Sequence, residues 1–416
     1  MQTFKNKCLT IGSLCLMISL IVLSFTSMGF SGPFRASAIK INITPTEPVW
    51  LLGFRSREHP STAVHDSLYL KILCLDDGET RFFLVSADIC EFDRGYLYES
   101  LLDSITKTLD IPREHFIWTT THTHSGPYVS EKNREYQAWL ERTLIQGLLK
   151  AENALVPARF GYENGIALAN MNRRVWYPHG KVGLGKNPAK PIDRSLGVIK
   201  IERSDGMPLA LVVRYAMHGT TMYARNYQIS ADAMGITTQY VENHLNIPVL
   251  FMNGAAGNLD PIFSYRDEFQ ARHFDMACFQ KLLGEPVLTI QSMISTNTRV
   301  KMQTTSTLIP LPCKKKFIDQ NGETLSVPVH YLKINDLMIY SAPLELFCEI
   351  AMQIQDQSPF KSTWFFGYAN DFLGYLATAS AYPEGGYEVG DATFYDKRAQ
   401  AVFQRKVLST LKELYP

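Results

Sequence analysis

Two histidines separated by one residue are the side chains best suited by type and spacing to chemistry. His122 and His124 lie in the segment Thr-His-Thr-His-Ser-Gly-Pro, directly after a run of aromatic residues and threonines. That run predicts a strand over 115–121, and the Gly-Pro pair predicts a turn after it. Alternate residues of an extended chain project to the same side, so we expect both imidazoles to face one point. One could bind a cation while the other moves a proton; buried polar histidines without a chemical role are the alternative.

Two further segments offer chemistry at a predicted strand end. His218 ends an apolar run and is followed by Gly-Thr-Thr, and the buried run 249–253 leads into Gly-Ala-Ala-Gly-Asn-Leu-Asp-Pro. Strand ends on one edge of a sheet gather in a common crevice, so the histidine sites should lie close together. The glycine-rich segment lets backbone N–H groups approach a ligand or an oxyanion, although a tight turn packed by small residues explains it equally well.

The elements that must position these side chains alternate between strand and helix periodicity. No long linker, repeat or low-complexity tract interrupts them, which favours a single large α/β domain with a mixed β-sheet flanked by helices. A long surface loop over 177–192 could lie above the site. The predicted strands are 36–42, 66–75, 81–89, 115–121, 196–202, 209–217, 249–253, 325–334 and 338–341, and the predicted helices are 97–109, 136–153, 233–245, about 268–283 and 344–355.

Composition and missing motifs exclude several functional classes. The 416 residues carry a formal charge of +1, whereas nucleic-acid binders usually show a basic excess. The chain has no G-x-S-x-G elbow, H-E-x-x-H pair or phosphate-binding loop, each of which would indicate a different enzyme class. The five cysteines beyond residue 29 are scattered and show neither zinc-finger spacing nor a disulfide framework.

The first 29 residues have the pattern of an export signal. Lys5 and Lys7 precede an apolar run over 8–25, and the first acidic residue is Glu47. A positive segment followed by an apolar one is typical of secretory leaders, but the run is also near the length of a membrane anchor. We therefore expect residues 1–29 to be a signal peptide or N-terminal anchor, and residues 30–416 to form an exported domain, either secreted, periplasmic or anchored.

The ordered motifs resemble the neutral/alkaline non-lysosomal ceramidase family. The resemblance runs from about residue 36 to 395, with each motif short but their order specific. The motifs are the opening strand 36–45 ending in Ile-Thr-Pro, the Gly53-Phe54 pair, the His-Thr-His-Ser-Gly-Pro segment, Asn172-Arg173, His218-Gly219-Thr220, the Ser-x-Asp-x-x-Gly segment at 230–235, the Asn253–Pro261 segment, the Pro-x-Glu at 343–345, and the tyrosine-rich block from Asn370 through Tyr375 and Tyr382 to Glu388.

The resemblance implies one zinc ion per chain, bound by His122, His218, Glu345 and Tyr375. Imidazole, carboxylate and phenolate are reasonable zinc ligands, and an open position would take an activated water. On the family pattern Glu345 starts a helix, His124 is the general acid/base, and Arg173 holds the substrate or a developing oxyanion, while its neighbour Arg174 is expected to be a surface charge. The other residues expected to face the substrate are Asn172, Asn253, Gly257, Asp260 and Tyr382.

The expected activity is hydrolysis of an amide, an N-acyl bond, with ceramide or a related N-acyl lipid as the substrate. A lipid substrate or a retained anchor would associate the protein with a membrane surface; the oligomeric state stays open. The family has Gly-Asp-x-Ser-Pro where this chain has Gly257-Asn258-Leu259-Asp260-Pro261, which leaves a different amide or ester as an alternative substrate. We also expect the family's C-terminal β-sandwich domain to be missing from this chain.

Two rival functions remain. A non-catalytic envelope protein could keep the fold as a binding module, in which case the zinc ligands would have no reason to persist. A serine hydrolase could use Ser125 with a nearby histidine. Metal content and a Ser125→Ala variant, respectively, would separate these possibilities from the zinc hydrolase.

Overall fold

The structure is a computed structural model that describes residues 33–92, 96–178, 180–264, 276–318 and 322–415. The expected leader therefore lies outside the described residues. The strands in chain order are β1 (Arg35–Asn42), β2 (Ala63–Val64), β3 (Tyr69–Asp76), β4 (Arg81–Ala87), β5 (Phe116–Thr120), β6 (Val156–Ile166), β7 (Asn170–Asn172), β8 (Arg174–Trp176), β9 (Val182–Leu184), β10 (Ser195–Arg203), β11 (Pro208–Tyr215), β12 (Gln228–Ile229), β13 (Val249–Asn253), β14 (Leu259–Pro261), β15 (Met302–Pro312), β16 (Thr324–Ile334), β17 (Leu337–Ser341), β18 (Glu345–Leu346), β19 (Ser362–Phe366) and β20 (Tyr375–Leu376).

The helices pack on the outer faces of two sheets. They are α1 (Tyr96–Leu109), α2 (Arg134–Asn153), α3 (Asp232–Leu245), α4 (Glu285–Met293), which continues from a π-helical turn at Gln280–Gly284, α5 (Cys348–Gln357), α6 (Ala381–Glu384) and α7 (Ala399–Leu414). Among the described residues no helix is both long and apolar enough to cross a bilayer.

An eight-stranded sheet with strand order β13-β11-β10-β6-β1-β3-β4-β5 forms the larger layer. It is mixed, because β11–β13 and β4–β5 are parallel pairs whereas the other pairs are antiparallel. Alternate residues of these strands face opposite sides. On β3, Ile72 packs toward α1 and α2, whereas Leu73 faces the second sheet.

The second sheet has the order β15-β16-β17-β19 and packs against the inner face of the first. Trp364 and Ile339 join the shared apolar layer, while α5 and α7 cover the opposite face through residues such as Ile350 and Phe403. The result is a layered α/β domain with a large mixed sheet, so the predicted fold class is confirmed.

The larger sheet curls until its two edge strands approach each other. The Ser86 hydroxyl at the end of β4 donates to the Phe251 carbonyl of β13 at 2.7 Å, and the Thr119 hydroxyl of β5 lies 3.0 Å from the Met252 sulfur. These contacts join β4 and β5 to β13 without a backbone ladder. They explain how residues that follow β5 and β11 meet, although five strands separate β5 from β11 within the sheet.

Several predicted elements differ from the observed ones. The predicted helix 344–355 begins only at Cys348, because residues 345–346 form β18. The predicted loop 177–192 contains β9, which pairs with β8 as a short hairpin. Much of the predicted helix 268–283 lies outside the described residues, and its described end runs on to Met293. The long strands β6 and β15, the strand β19 and the helix α7 were not predicted.

Candidate metal centre

Two loops that follow β5 and β11 carry the histidines. Thr123 and Gly219 form a parallel bridge, and the His124 amide donates to the Gly219 carbonyl at 2.8 Å. A Cβ on Gly219 would overlap the His122 carbonyl oxygen, so a side chain there would separate the loops. The backbone thus holds both histidine segments side by side.

The backbone at His122 is left-handed, with φ of 62°. The expectation that His122 and His124 share a face of an extended strand is therefore wrong in detail, since β5 ends at Thr120. The two imidazoles nevertheless meet, with 3.2 Å between their Nε2 atoms. A left-handed non-glycine residue costs of order 1–3 kcal/mol and persists only where its surroundings hold it.

Glu345 and Tyr375 are brought together by a second, very short ladder. β18 and β20 run parallel, and Glu345 is paired directly with Tyr375. The Glu345 amide donates to the Gly374 carbonyl at 3.1 Å. Glu345 therefore sits in a strand, three residues before α5 begins at Cys348, and the expectation that it starts a helix is corrected.

The side chains of all four residues converge on one buried point. Glu345 Oε2 lies 2.9 Å from His218 Nε2 and 3.4 Å from His122 Nε2, and the Tyr375 hydroxyl lies 3.2 Å from His218 Nε2. Each of the four is less than 5% exposed. Ligands about 2 Å from a tetrahedral zinc ion are separated by about 3.3 Å, so these spacings suit such a centre.

The histidine tautomers test whether a cation fits this point. His122 Nδ1 lies 2.9 Å from the Cys90 carbonyl, and His218 Nδ1 lies 2.7 Å from the Ala256 carbonyl. A carbonyl only accepts, so both Nδ1 atoms must donate, and in a neutral imidazole the Nε2 atom that faces Glu345 is then an acceptor. No described residue donates a hydrogen bond to Glu345 Oε2. Possible acceptor atoms therefore converge on Glu345 Oε2, and a metal cation would satisfy them.

Electrostatics agrees with this assignment. Burial, with Arg173 next in effect, lowers the pKa of His218, so that imidazole is neutral. Burial opposes ionisation of Glu345, but His122 and His218 more than offset it and hold the pKa of its carboxyl well below the usual range. The centre thus combines a neutral His218 with an ionised Glu345, the protonation states in which these side chains bind a metal.

A second group of candidate ligands overlaps the first. Cys90, His122 and His124 also place one ligand atom each within 4.8 Å of one another. Burial raises the pKa of the Cys90 thiol well above its ordinary value, and only a thiolate binds metal well. His122 Nδ1 is also engaged by the Cys90 carbonyl. The group containing Glu345 is therefore the better centre.

Arg173 extends the site through a buried network of charges. Its guanidinium donates to the Tyr375 hydroxyl at 3.0 Å, to Glu388 Oε1 at 2.9 Å and to Asp260 Oδ1 at 3.3 Å. Burial opposes the charge of Arg173, but Tyr375, Glu388 and Asp260 raise the pKa of its guanidinium well above the usual value. Arg173 stays charged, and burial raises the pKa of Tyr375 well above its usual value, an effect that Arg173 opposes only in part.

Arg174 belongs to the same network, contrary to the expectation of a surface charge. It is only 2% exposed and donates to Glu388 Oε2 at 2.6 Å. Glu388 thus bridges two consecutive arginines through its two oxygens. A buried charge needs a partner, and this requirement is what places Arg174 inside. Sequence reasoning assigned no role to Glu388, although the resemblance included it.

His124 stands beside the convergence point and is partly exposed, unlike the proposed ligands. Its ring packs edge-on against Phe54 and closely against Gly53, where a Cβ would overlap the imidazole and φ is 105°. Burial first, and then His122 and His218, lower the pKa of His124 well below its usual value. A neutral imidazole at the rim of the site is placed to accept a proton.

The residues expected to face the substrate have mixed placements. Asp260 contacts Arg173 and the Thr220 hydroxyl, both at the site. Gly257 lies against the Glu345 carbonyl, where a Cβ would overlap it. The Asn172 amide holds the backbone of Pro191 and Arg174, and the Tyr382 hydroxyl donates to the Tyr395 carbonyl. The hydrogen bonds of Asn172 and Tyr382 are therefore structural, as are those of Asn253, which are described below.

Two other side chains bear on the alternatives. The Ser125 hydroxyl is buried and accepts from the Asn226 amide at 3.1 Å, and no histidine contact of that hydroxyl appears among the described residues. A serine nucleophile at this position is therefore not supported by the geometry. Tyr368, which sequence reasoning did not single out, stacks on His122 with 4.0 Å between ring centroids.

Comparisons with known proteins identify the family and the fold. The family model described as neutral/alkaline non-lysosomal ceramidase, N-terminal, matches residues 40–251. The chain is 22% identical over 277 residues to the neutral ceramidase of Pseudomonas aeruginosa, covering 60% of this chain and 40% of that protein. It is 25% identical over 194 residues to neutral ceramidase A of Dictyostelium discoideum, covering 41% of this chain and 26% of that protein.

A solved structure shares the fold. The crystal structure of the neutral ceramidase from Pseudomonas aeruginosa superposes with a TM-score of 0.76 at 18% identity, covering 92% of this chain and 74% of that one. In the sequence comparisons, by contrast, the matched regions span less than half the length of the two neutral ceramidases. Because the family model covers just over half of the 416 residues, the chain belongs to the neutral/alkaline non-lysosomal ceramidase family.

Proposed function

We propose that this protein is a zinc-dependent hydrolase that cleaves an amide, with ceramide or a related N-acyl lipid as its substrate. The observation that carries the proposal is the convergence of two imidazole Nε2 atoms on a buried carboxylate oxygen that has no hydrogen-bond partner among the described residues. The names of the relatives support the amide class, since each is a neutral ceramidase.

His122, His218, Glu345 and Tyr375 would hold one Zn²⁺ per chain at the ends of strands. When bound, the ion supplies a Lewis acid that polarises an amide carbonyl and lowers the pKa of a water to about 7. Arg173 keeps Tyr375 in place through its 3.0 Å hydrogen bond and favours the phenolate by its charge. Asp260 and Glu388 orient that guanidinium in turn.

We assign the proton transfer to His124. Its Nε2 lies 3.2 Å from His122 Nε2, and its ring is partly exposed where substrate would enter. His124 would accept the proton of the attacking water as the new C–O bond forms. It would then donate that proton to the amide nitrogen as the C–N bond breaks, leaving a carboxylic acid and an amine.

The test is hydrolysis of a fluorogenic N-acyl sphingosine by the purified protein, before chelation, after chelation and after zinc is added back. We expect activity to disappear and return with zinc near one ion per chain, and a His218→Ala variant to remain inactive after zinc addition. A chelated protein that stays fully active, with no bound metal, would contradict the proposal.

A non-sphingolipid amide or ester is the second candidate substrate. The observation that favours it is Asp260, which stands where the family has serine and binds Arg173 and Thr220 beside the proposed centre. A panel of soluble N-acyl amines and aryl esters, measured beside the sphingosine substrate, distinguishes the two. Stoichiometric zinc without N-acyl sphingosine hydrolysis would favour the second candidate.

We further propose that residues 1–29 direct export and that residues 30–416 form the hydrolase domain. The basic and apolar pattern of the leader supports this. Mass spectrometry of the protein recovered from the producing cell tests it, because a mature form that begins near residue 30 requires cleavage. A full-length form in the membrane fraction would indicate a retained anchor, and a full-length form in the cytoplasm would contradict export.

A further inference from the structure

We infer that Asn253 is the positioning residue that holds the loop of His122 beside the loop of His218 at the proposed metal centre. The inference rests on the zinc site proposed above, but concerns a side chain that touches neither metal nor substrate. Asn253 is the last residue of β13 and is fully buried.

The Asn253 amide ties together the backbone just before each histidine. Its Nδ2 donates to the carbonyls of Thr121 at 3.1 Å and Met217 at 2.8 Å, and its Oδ1 accepts from the Met217 amide at 3.1 Å. Thr121 directly precedes His122, and Met217 directly precedes His218. Both N–H groups and the carbonyl of the amide are used, so Asn253 serves the backbone and not the substrate.

The strand pairing of the sheet does not connect these loops. β5 and β13 are the two edges of the eight-stranded sheet, and within the described part of the chain no ladder joins them. Asn253 spans the gap before the histidines, and the Thr123–Gly219 bridge spans it after them. One link therefore precedes each histidine along the chain, and the other link follows it.

The strained backbone of His122 explains why such a link is needed. A residue with φ of 62° returns to an ordinary conformation unless its neighbours hold it. The Asn253 carbonyl also accepts from the Gly367 amide at 2.9 Å, which anchors the segment whose Tyr368 stacks on the His122 ring. Asn253 thus constrains the backbone beside His122 directly, and the His122 ring through the segment that carries Tyr368.

The experiment compares zinc affinity with fold stability in Asn253→Leu, which keeps similar size but makes no hydrogen bonds. Zinc Kd is measured by competition with a chromophoric chelator, and the stability of the metal-free protein by thermal unfolding. Asn370→Leu is the matched control, because Asn370 is also fully buried and bridges two backbone groups, of Phe116 and Trp118, within β5.

We expect Asn253→Leu to weaken zinc binding by about 10- to 100-fold, the usual effect of losing an outer partner of a metal site. Asn370→Leu should lose stability without a comparable change in Kd. Asn253→Asp is the second variant if the first does not fold; it keeps one acceptor but cannot donate to Thr121, and should also weaken binding.

The outcomes are distinguishable. A wild-type protein that binds no zinc overturns the proposed metal centre, and this inference with it. A wild-type protein that binds zinc, beside a folded Asn253 variant with unchanged Kd, overturns the positioning role alone. Equal weakening in Asn370→Leu also overturns it, because the effect would then reflect general loosening.

Discussion

At the scale of single residues, hydrogen bonds separate the proposed ligands from ordinary buried polar groups. Most buried polar atoms are hydrogen-bonded, yet Glu345 Oε2 faces two imidazoles whose protons are committed to carbonyls on their other side. With neutral imidazoles and no cation, the carboxylate oxygen and the Nε2 atoms would repel one another, and metal binding would relieve that repulsion.

Replacing Glu345 by glutamine tests this repulsion directly. The amide N–H can donate to an imidazole lone pair, so we expect Glu345→Gln to stabilise the metal-free protein by about 1 kcal/mol. Zinc affinity should fall by more than about 100-fold, beyond the usual cost of losing an outer partner. Thermal unfolding in chelator and a zinc competition titration measure the two effects.

Glu349→Gln is the control for that experiment, since Glu349 lies on α5 and accepts from Asn258 rather than facing the histidines. It should change neither quantity appreciably. A metal-free Glu345→Gln protein that is less stable than wild type would show that the carboxylate is satisfied without a metal.

Asp260 is the residue that we expect to set substrate preference. Asp260→Ser restores the family residue and removes the carboxylate bound to Arg173 and Thr220. We expect kcat/KM for N-acyl sphingosine, relative to a soluble N-acyl amine, to rise by about tenfold, since polar groups in a site discriminate strongly. Zinc stoichiometry should stay unchanged.

Asp260→Asn separates charge from shape in the same measurement. It keeps the size of the side chain and loses only the charge, so a change shared by both variants identifies the charge as the determinant. An unchanged preference in both variants would remove Asp260 from the specificity argument.

At the scale of elements, very short strands matter more than long ones. β18 and β20 have two residues each, but their register places Glu345 beside Tyr375. Gly257 packs against that ladder, and its amide donates to the Leu346 carbonyl at 2.9 Å. The glycine is required there because the backbone of β18 leaves no space for a Cβ.

We expect Gly257→Ala to displace Glu345. The added methyl would overlap the Glu345 carbonyl oxygen, which should cost about 1–3 kcal/mol of unfolding free energy as overpacking. Zinc Kd should rise about tenfold or more, because a ligand moves with its backbone. Chemical denaturation and zinc titration measure the effects.

Gly165→Ala serves as the comparison, because its Cβ would meet only the end of the Ile290 side chain. It should leave zinc binding unchanged. Equal zinc affinity in Gly257→Ala and wild type would mean that β18 tolerates the shift.

At the scale of the whole molecule, the interior between the sheets and helices contains a titratable group unrelated to the site. His330 on β16 is buried, and its Nδ1 has no partner among the described residues. Burial lowers the pKa of His330 from 6.5 to about 4. The folded protein therefore keeps this imidazole neutral where the unfolded chain protonates it.

This pKa difference predicts acid sensitivity. Below the unfolded pKa of 6.5 the unfolded chain binds a proton that the folded state excludes until about 4, so stability is present above that window and is lost as pH falls through it. The loss between about pH 7 and about pH 5 should be about 2 kcal/mol. Urea unfolding of wild type and His330→Phe at both pH values measures it as a difference.

The His330→Phe variant should lose less stability over the same range, since it has no proton to bind at this position. Other groups titrate equally in both proteins and cancel. Parallel pH profiles for the two proteins would contradict the assignment of the acid sensitivity to His330.

Local periodicity determined much of the fold from the sequence alone. The predicted strand 249–253 coincides with β13, and the strands β3 and β4 and the helices α1, α2 and α3 were placed within a few residues. These elements have strong apolar patterns, because each buries one face or both. The motifs also led to the family and to the four residues whose side chains converge.

Other features were decided only by tertiary structure, because distant backbone groups supply their hydrogen bonds. Glu345 lies in a strand rather than a helix because the Gly374 carbonyl accepts the hydrogen bond of its amide. Helix α5 begins at Cys348, where the Asn258 side chain accepts the hydrogen bond of the Cys348 amide. Arg174 became buried because Glu388 lies opposite it. Such partners lie far away along the chain and leave no local pattern.

The sequence by itself thus determined which residue types could bind a cation, and that two of them follow predicted strands. The curl of the eight-stranded sheet decided that the ends of β5 and β11 meet, and the Asn253 amide and the Thr123–Gly219 bridge join them. The physical reason is that periodicity records burial, whereas convergence depends on hydrogen bonds between segments more than a hundred residues apart.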